Sequence, residues 1–228
     1  MALILCLETS TKSCSVALAS NGKIIAQKES VDEKYSHAEN LTLYIEEVFK
    51  QGGIKLADID AVAVSKGPGS FTGLRIGVST AKGLCYALNK PLIAVSTLEA
   101  MTAGQIANFS FEASTLFCPM IDAKRMEVYC AVYDSTLSEL KKVSADIINE
   151  TSFAELLALR KIIFFGDGAE KCKTKIIHSN AIFLNNVYPS AKNMIALAEN
   201  QFTQAKFEDV AYFEPYYLKD FVTTHSTS

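Results

Sequence analysis

KGPGSFTGLRIGVSTAKGL, residues 66–84, joins a strand exit, a glycine-rich turn and a small-residue helix within nineteen residues. The apolar run 61–64 feeds into it as a strand. Gly67, Pro68 and Gly69 supply a turn in which the proline holds φ near −65° and its neighbours are free to take positive φ. Ser70 or Thr72 can cap the helix that follows. Along that helix Gly69, Gly73, Gly77, Ala81 and Cys85 recur every four residues, so one edge carries almost no side chain. Glycine in a helix interior costs about 1 kcal/mol against alanine, so close packing or a ligand must compensate. Three readings are open. The edge lies tightly on the protein's own sheet, it docks another helix, or the loop cradles a phosphate at the helix N-terminus. The stretch lacks the Lys-Ser/Thr ending of a phosphate-binding P-loop and does not match G-x-G-x-x-G.

Length and composition narrow the setting. A chain of 228 residues with 49% hydrophobic and 21% charged residues is an ordinary globule of one large or two small domains. Its net charge of −3 argues against gripping nucleic acid unaided. The six cysteines, Cys6, Cys14, Cys85, Cys118, Cys130 and Cys172, include no C-x-x-C pair and mostly sit in apolar runs. They read as reduced core residues, which points to the cytoplasm. The apolar run at the N-terminus stops at Glu8 without a basic leader and reads as a strand. No stretch reaches the roughly 18 apolar residues of a membrane span.

Residues 2–9, 14–19 and 23–30 alternate with polar turns, Asn21-Gly22 being a hairpin signal, and predict an antiparallel meander. Residues 35–51 read as a helix apolar almost all round, hence covered on two sides. Strands at 60–65 and 91–96 flank the glycine-rich helix as a parallel crossover, and residues 97–107 form a helix capped by Ser96 or Thr97. The second half opens like the first, with an apolar strand 116–121 ending in Asp122, a short polar turn, and an alternating strand 127–133. This duplication divides the chain into a lobe of residues 1–110 and a smaller lobe of 111–228, whose last segment is expected to pack back on the first. A capped helix at 151–160, a strand at 161–165, the Gly166-Asp167-Gly168 turn, a short strand at 181–184 and a helix at 190–204 complete it.

Two lobes that each begin strand, acid, turn, strand resemble the acetate and sugar kinase and actin superfamily. That resemblance implies an α/β fold, a duplicated actin-like (ribonuclease H-like) architecture with a mixed sheet flanked by helices in each lobe. In that superfamily paired hairpins hold nucleotide phosphates. The matching positions here are Glu8, Thr9 and Ser10 on the first hairpin, Asp122 on the second, and Gly166 and Gly168 where the adenosine loop falls. The resemblance makes these a vestigial nucleotide site. The first hairpin carries Glu where catalytic members usually carry Asp. No G-x-S-x-G or C-G-x-C context surrounds any Ser or Cys, and no pair of histidines has metal-ligand spacing, so neither a catalytic nucleophile nor a metal site is expected.

ILCLETSTKSCSVAL, YSHAENL, SKGPGSFTGLRIGVSTAKGL, PLIAVSTLEAM, PMIDAKRMEVYCAVY and EPYYL occur in the order and spacing of the TsaB (YeaZ) family of bacterial tRNA threonylcarbamoyladenosine biosynthesis proteins, across essentially the whole chain. The resemblance implies a non-catalytic scaffold with no cofactor. Its implied partner is TsaD, the subunit that transfers threonylcarbamoyl to the adenosine beside the anticodon of ANN-reading tRNAs, with TsaE joining the pair. It further implies a homodimer when alone, tRNA reached only through the complex, and no membrane. TsaD opens a helix with a His-x-x-x-His metal motif, and Thr97 and Met101 stand in those positions here. The resemblance places the partner surface on the first helix and the glycine-rich helix, where His37, Leu41, Tyr44, Thr72, Gly73, Ile76, Gly77 and Thr80 are the expected interface residues. The competing expectation is an enzyme in its own right, a nucleotide phosphohydrolase using Glu8 and Asp122, or a peptidase.

Overall fold

The computed structural model describes residues 2–31 and 37–219, with the side chains of residues 37 and 38 outside it. The first half forms β1 (Leu3–Glu8), β2 (Ser13–Ser20), β3 (Lys23–Val31), α1 (His37–Gly52), β4 (Ala61–Gly67), α2 (Phe71–Leu88), β5 (Leu92–Ser96) and α3 (Thr97–Asn108). The second forms β6 (Leu116–Asp122), β7 (Glu127–Tyr133), β8 (Glu139–Ile147), α4 (Ala154–Leu159), β9 (Ile162–Phe165), α5 (Ala169–Cys172), β10 (Ala181–Phe183) and α6 (Ile195–Thr203). Two five-stranded sheets result, in the orders β3-β2-β1-β4-β5 and β10-β9-β6-β7-β8. Read from opposite ends they are the same sheet twice: an antiparallel meander followed by two parallel strands. The duplication expected from the sequence is present in the topology.

The first sheet is apolar on both faces. Leu5, Leu7, Val16, Leu18, Val62 and Val64 face α1 and α2, while Ile4, Cys6, Ala17, Ala61, Ala63, Ile93 and Val95 face Met194, Ile195 and Ala198 at the start of α6. That second face is built mostly of small residues, which lets α6 lie close. The second sheet packs Cys118, Met120, Cys130 and Phe164 against α4 and α5, and Phe117, Ile121, Ala131 and Phe165 against Leu98 and Met101 of α3. Each half therefore lends a helix to the other half's sheet. All six cysteines are free thiols and buried. No helix among the described residues is long and apolar enough to cross a membrane.

Three sequence expectations are adjusted. The helix expected over residues 151–160 shortens to α4, because Asn149 caps a turn through Thr151 and Phe153 adopts a left-handed conformation (φ 63°) that interrupts it. The helix expected at 190–204 begins as a 3-10 turn, Ala191–Met194, before α6. The third adjustment concerns α1, which buries Leu41, Ile45, Val48 and Phe49 on the sheet but leaves Leu43 53% exposed. Among the described residues α1 is covered on one side.

Candidate functional site

The C-terminal ends of β1 and β4, the β6–β7 turn and the first turn of α2 converge on a cleft of about 820 Å³ between the lobes. Ser10, Thr11, Lys12, Gly69, Ser70 and Thr72 line its first-lobe wall, and Asp122, Lys124, Tyr129 and Asp167 its second. Residues 216–219 close one side. The β1–β2 turn is held to α2 by Ser70 N–H donating to the Ser10 carbonyl (2.6 Å) and by Thr9 Oγ1 donating to the Gly73 carbonyl (2.8 Å). Ser70 caps α2, its hydroxyl accepting from Gly73 N–H at 3.3 Å.

Glu8 does not reach the cleft. Its side chain is fully buried, with Oε1 accepting from Ser10 N–H (2.7 Å) and Ser65 Oγ (2.9 Å), while Oε2 has no hydrogen-bond partner among the described residues. Burial pushes its carboxyl above the ordinary glutamate range, against the lowering effect of those hydrogen bonds. The carboxylate expected to serve phosphate chemistry lies instead beneath the turn, bracing it. A group that holds its proton more tightly when folded than when unfolded makes the fold less stable as pH rises from the ordinary range through its folded value. Glu99 and Asp167 are also raised by burial, so the contribution of Glu8 is isolated by difference. The unfolding free energy of wild type minus that of Glu8→Gln, from urea titrations, should decline as pH rises above the ordinary glutamate value of about 4.5. A flat difference would show that Glu8 ionises as readily folded as unfolded.

The second hairpin is closed on itself. Asp122 Oδ1 pairs with Lys171 Nζ and accepts from Lys124 N–H at 3.0 Å, while Asp167 Oδ1 accepts from Asp122 N–H at 3.1 Å. Gly166 and Gly168 pack on β6. A Cβ at Gly166 would stand 2.1 Å from the Met120 carbonyl oxygen, and one at Gly168 2.8 Å from the Ile121 carbonyl carbon. Close approach to a neighbouring strand accounts for both glycines without a ligand.

The family model for TsaD, tRNA N6-adenosine threonylcarbamoyltransferase, matches residues 24–226. The Escherichia coli tRNA threonylcarbamoyladenosine biosynthesis protein TsaB is 30% identical over 95% of this chain and 94% of its own length. The chain belongs to the TsaB family. A Pseudomonas aeruginosa structure described as an uncharacterized protein with similarity to peptidase YeaZ superposes with a TM-score of 0.84 at 25% identity, covering 96% of this chain and 100% of that one. The activator of 2-hydroxyisocaproyl-CoA dehydratase from Clostridium difficile, solved with bound ADPNP, shares the fold at a TM-score of 0.51 and 11% identity, over 91% of this chain and 98% of its own. The duplicated fold is thus shared by YeaZ and by a protein that was solved with a nucleotide analogue bound.

The residues expected at a TsaB partner surface divide by direction. Leu41 is 1% exposed and belongs to the core. Tyr44 turns to the sheet edge, its hydroxyl donating to Ser30 Oγ (2.9 Å) with Lys28 Nζ 5.6 Å from its ring centroid. The side chain of His37 lies outside the described residues. Gly73 and Gly77 are buried, and a Cβ at Gly77 would meet Thr9 Oγ1 at 2.3 Å. Room for a partner helix at Gly77 is corrected: Thr9 of this chain's own β1–β2 turn occupies it, and the same Thr9 bonds the Gly73 carbonyl. Thr72 is exposed and Thr80 half-buried, Ile76 between them is half-buried with its side chain packed on the edge of the first core, and the same row continues to the exposed Gly83, where a Cβ would meet nothing within 4 Å. Sequence reading missed Gly83, although its spacing from Ile76 and Thr80 marks the same face.

Thr97 and Met101, which stand where the resemblance places metal-binding histidines in TsaD, are buried at 0% and 1% exposure, Met101 among the apolar contacts of α3 with the second sheet. Among the described residues no group of three or more His, Cys, Asp or Glu is placed to hold a metal ion. His178 lies in the loop before β10, its Nδ1 accepting from Asn180 N–H at 3.0 Å, and does not line the cleft.

Proposed function

We propose that this chain is a non-catalytic scaffold subunit in cytoplasmic tRNA threonylcarbamoyladenosine biosynthesis. It binds TsaD and activates threonylcarbamoyl transfer to the adenosine beside the anticodon of ANN-reading tRNAs. The observation that carries this reading is the burial of Glu8: the first-hairpin carboxylate is withdrawn from the cleft, so the phosphohydrolase alternative lacks one of its two acids. The side chains at 97 and 101, an alcohol and a thioether inside the core, support the same reading, since neither suits a hard metal centre. TsaE joins the pair, and the net charge of −3 favours tRNA contact through TsaD.

The partner surface in this reading is the row Thr72, Ile76, Thr80 and Gly83 of α2, exposed at its two ends and half-buried between, with the exposed Leu43 of α1, two adjacent helices able to meet two from the partner as a four-helix contact. Alone, the chain uses the same surface for a homodimer. The test is reconstitution. Isolated protein should show no ATP hydrolysis above background, and adding it to TsaD and TsaE should restore tRNA modification. Turnover by the isolated chain that Asp122→Ala abolishes would overturn the scaffold in favour of the phosphohydrolase.

A further inference from the structure

After α6 the chain leaves one face of the first sheet and returns on the other. Glu208 N–H donates to the Leu92 carbonyl at the edge of β5 (2.9 Å), and Lys82 Nζ of α2 donates to the carbonyls of Ala211 and Phe213, both at 3.0 Å. Val210 and Phe213 pack on the core beneath α1 and α2. Tyr216 N–H then donates to the Lys66 carbonyl at 2.7 Å, directly before the glycine-rich turn. Tyr217 lies 4.6 Å, centroid to centroid, from Phe71 in the first turn of α2, and Arg75 sits 3.9 Å over that Phe71 ring while its Nε donates to the Tyr217 hydroxyl at 3.3 Å. Two residues on, Lys219 forms an ion pair with Glu127 at the start of β7, in the other lobe.

We propose that residues 216–219 are a strap that holds the interlobe cleft closed, with Tyr217 on Phe71 and Arg75 as its anchor and Lys219–Glu127 as its latch. The placement carries the inference. Among the described residues the strap is fixed to the first lobe through Lys66, Phe71 and Arg75, reaches the second lobe through the Lys219–Glu127 pair, and forms a wall of the cleft. The lobes are also tied through α3 and α6 in the interior, by Ser190 and Lys192 on Glu29, and by the charge of Lys12 acting on Asp167 across the cleft, so the strap governs the side of the cleft that residues 216–219 line. Because the latch is an ion pair in partial contact with water, it opens at little cost, and salt weakens it. The anchor, an aromatic pair with a guanidinium across it, releases less readily.

Backbone amide exchange, read by mass spectrometry on the full chain, tests this. Glu127→Gln should raise exchange in residues 67–74 and 120–128 by about threefold, the scale of one exposed ion pair. Tyr217→Ala should raise it by about tenfold, and in both variants residues 92–101 should keep their wild-type rates. Salt at about 1 M should bring wild type to the Glu127→Gln rate and leave that variant unchanged. Wild-type exchange at the cleft in both variants would overturn the strap, as would a rise shared equally by residues 92–101, which marks general loosening.

Discussion

Gly166→Ala should lower stability by about 3 kcal/mol or more, combining backbone strain with an unrelieved clash, and lower Tm by roughly 6–12 °C for a chain of this size. Gly166 has φ 109°, outside the left-handed region that an L residue can enter at modest cost. Its missing Cβ would lie 2.1 Å from the Met120 carbonyl oxygen. That oxygen cannot retreat, since it accepts from Gly168 N–H at 3.1 Å and belongs to β6, which is paired on both sides. Gly22→Ala is the control. Gly22 also has positive φ (71°) but meets nothing within 4 Å, so its replacement should cost only about 1 kcal/mol. Thermal unfolding of the two variants separates conformation from contact. A Gly166→Ala loss no larger than that of Gly22→Ala would mean that β9 and β6 are free to part, and would reopen a ligand-based reason for the glycine.

The same geometry explains which parts of the fold were legible. The meander, the crossover and their repetition could be read because they rest on local signals: alternating apolar runs, Asn21-Gly22 with φ 53° and 71°, and Ser70 and Ser96 as caps. β8 escaped because Glu139–Ile147 is an edge strand, paired only with β7 and carrying Lys141 and Lys142 where a central strand would carry apolar residues. Site residues were legible by position and not by direction. The spacing of Gly69, Gly73, Gly77 and Ala81 shows that one edge of α2 is bare, but periodicity cannot say whether the sheet, a turn or a partner fills it. Here Thr9 fills it at Gly77, and the Ser10 carbonyl lies 2.2 Å from where a Cβ of Gly69 would be. Glu8 shows the same limit: a carboxylate ending an apolar strand can face a cleft or turn back under its own hairpin, and the choice depends on Ser65, 57 residues away in sequence.

That distinction between edges of α2 yields the strongest test of the partner surface. Gly77→Leu would drive a side chain into Thr9 and destabilise the chain, so lost association would report on folding. Gly83 is different. It is helical, exposed and open to solvent, so Gly83→Ala should stabilise the isolated chain by up to about 1 kcal/mol through helix propensity alone. Gly83→Trp keeps the helix and raises a bulky ring on the face that Thr72, Ile76 and Thr80 share. If that face meets TsaD, the ring holds the two surfaces apart, and affinity measured by titration calorimetry should fall by about 100-fold or more, some 2.8 kcal/mol. Thr72→Glu, which puts a charge at an exposed position of the same row, should weaken binding in parallel. If one surface serves both, light scattering on the isolated variants should show the homodimer lost together with TsaD binding. Affinities within threefold of wild type for both variants, with unfolding transitions at or above wild type for Gly83→Trp, would place the TsaD contact elsewhere on the molecule.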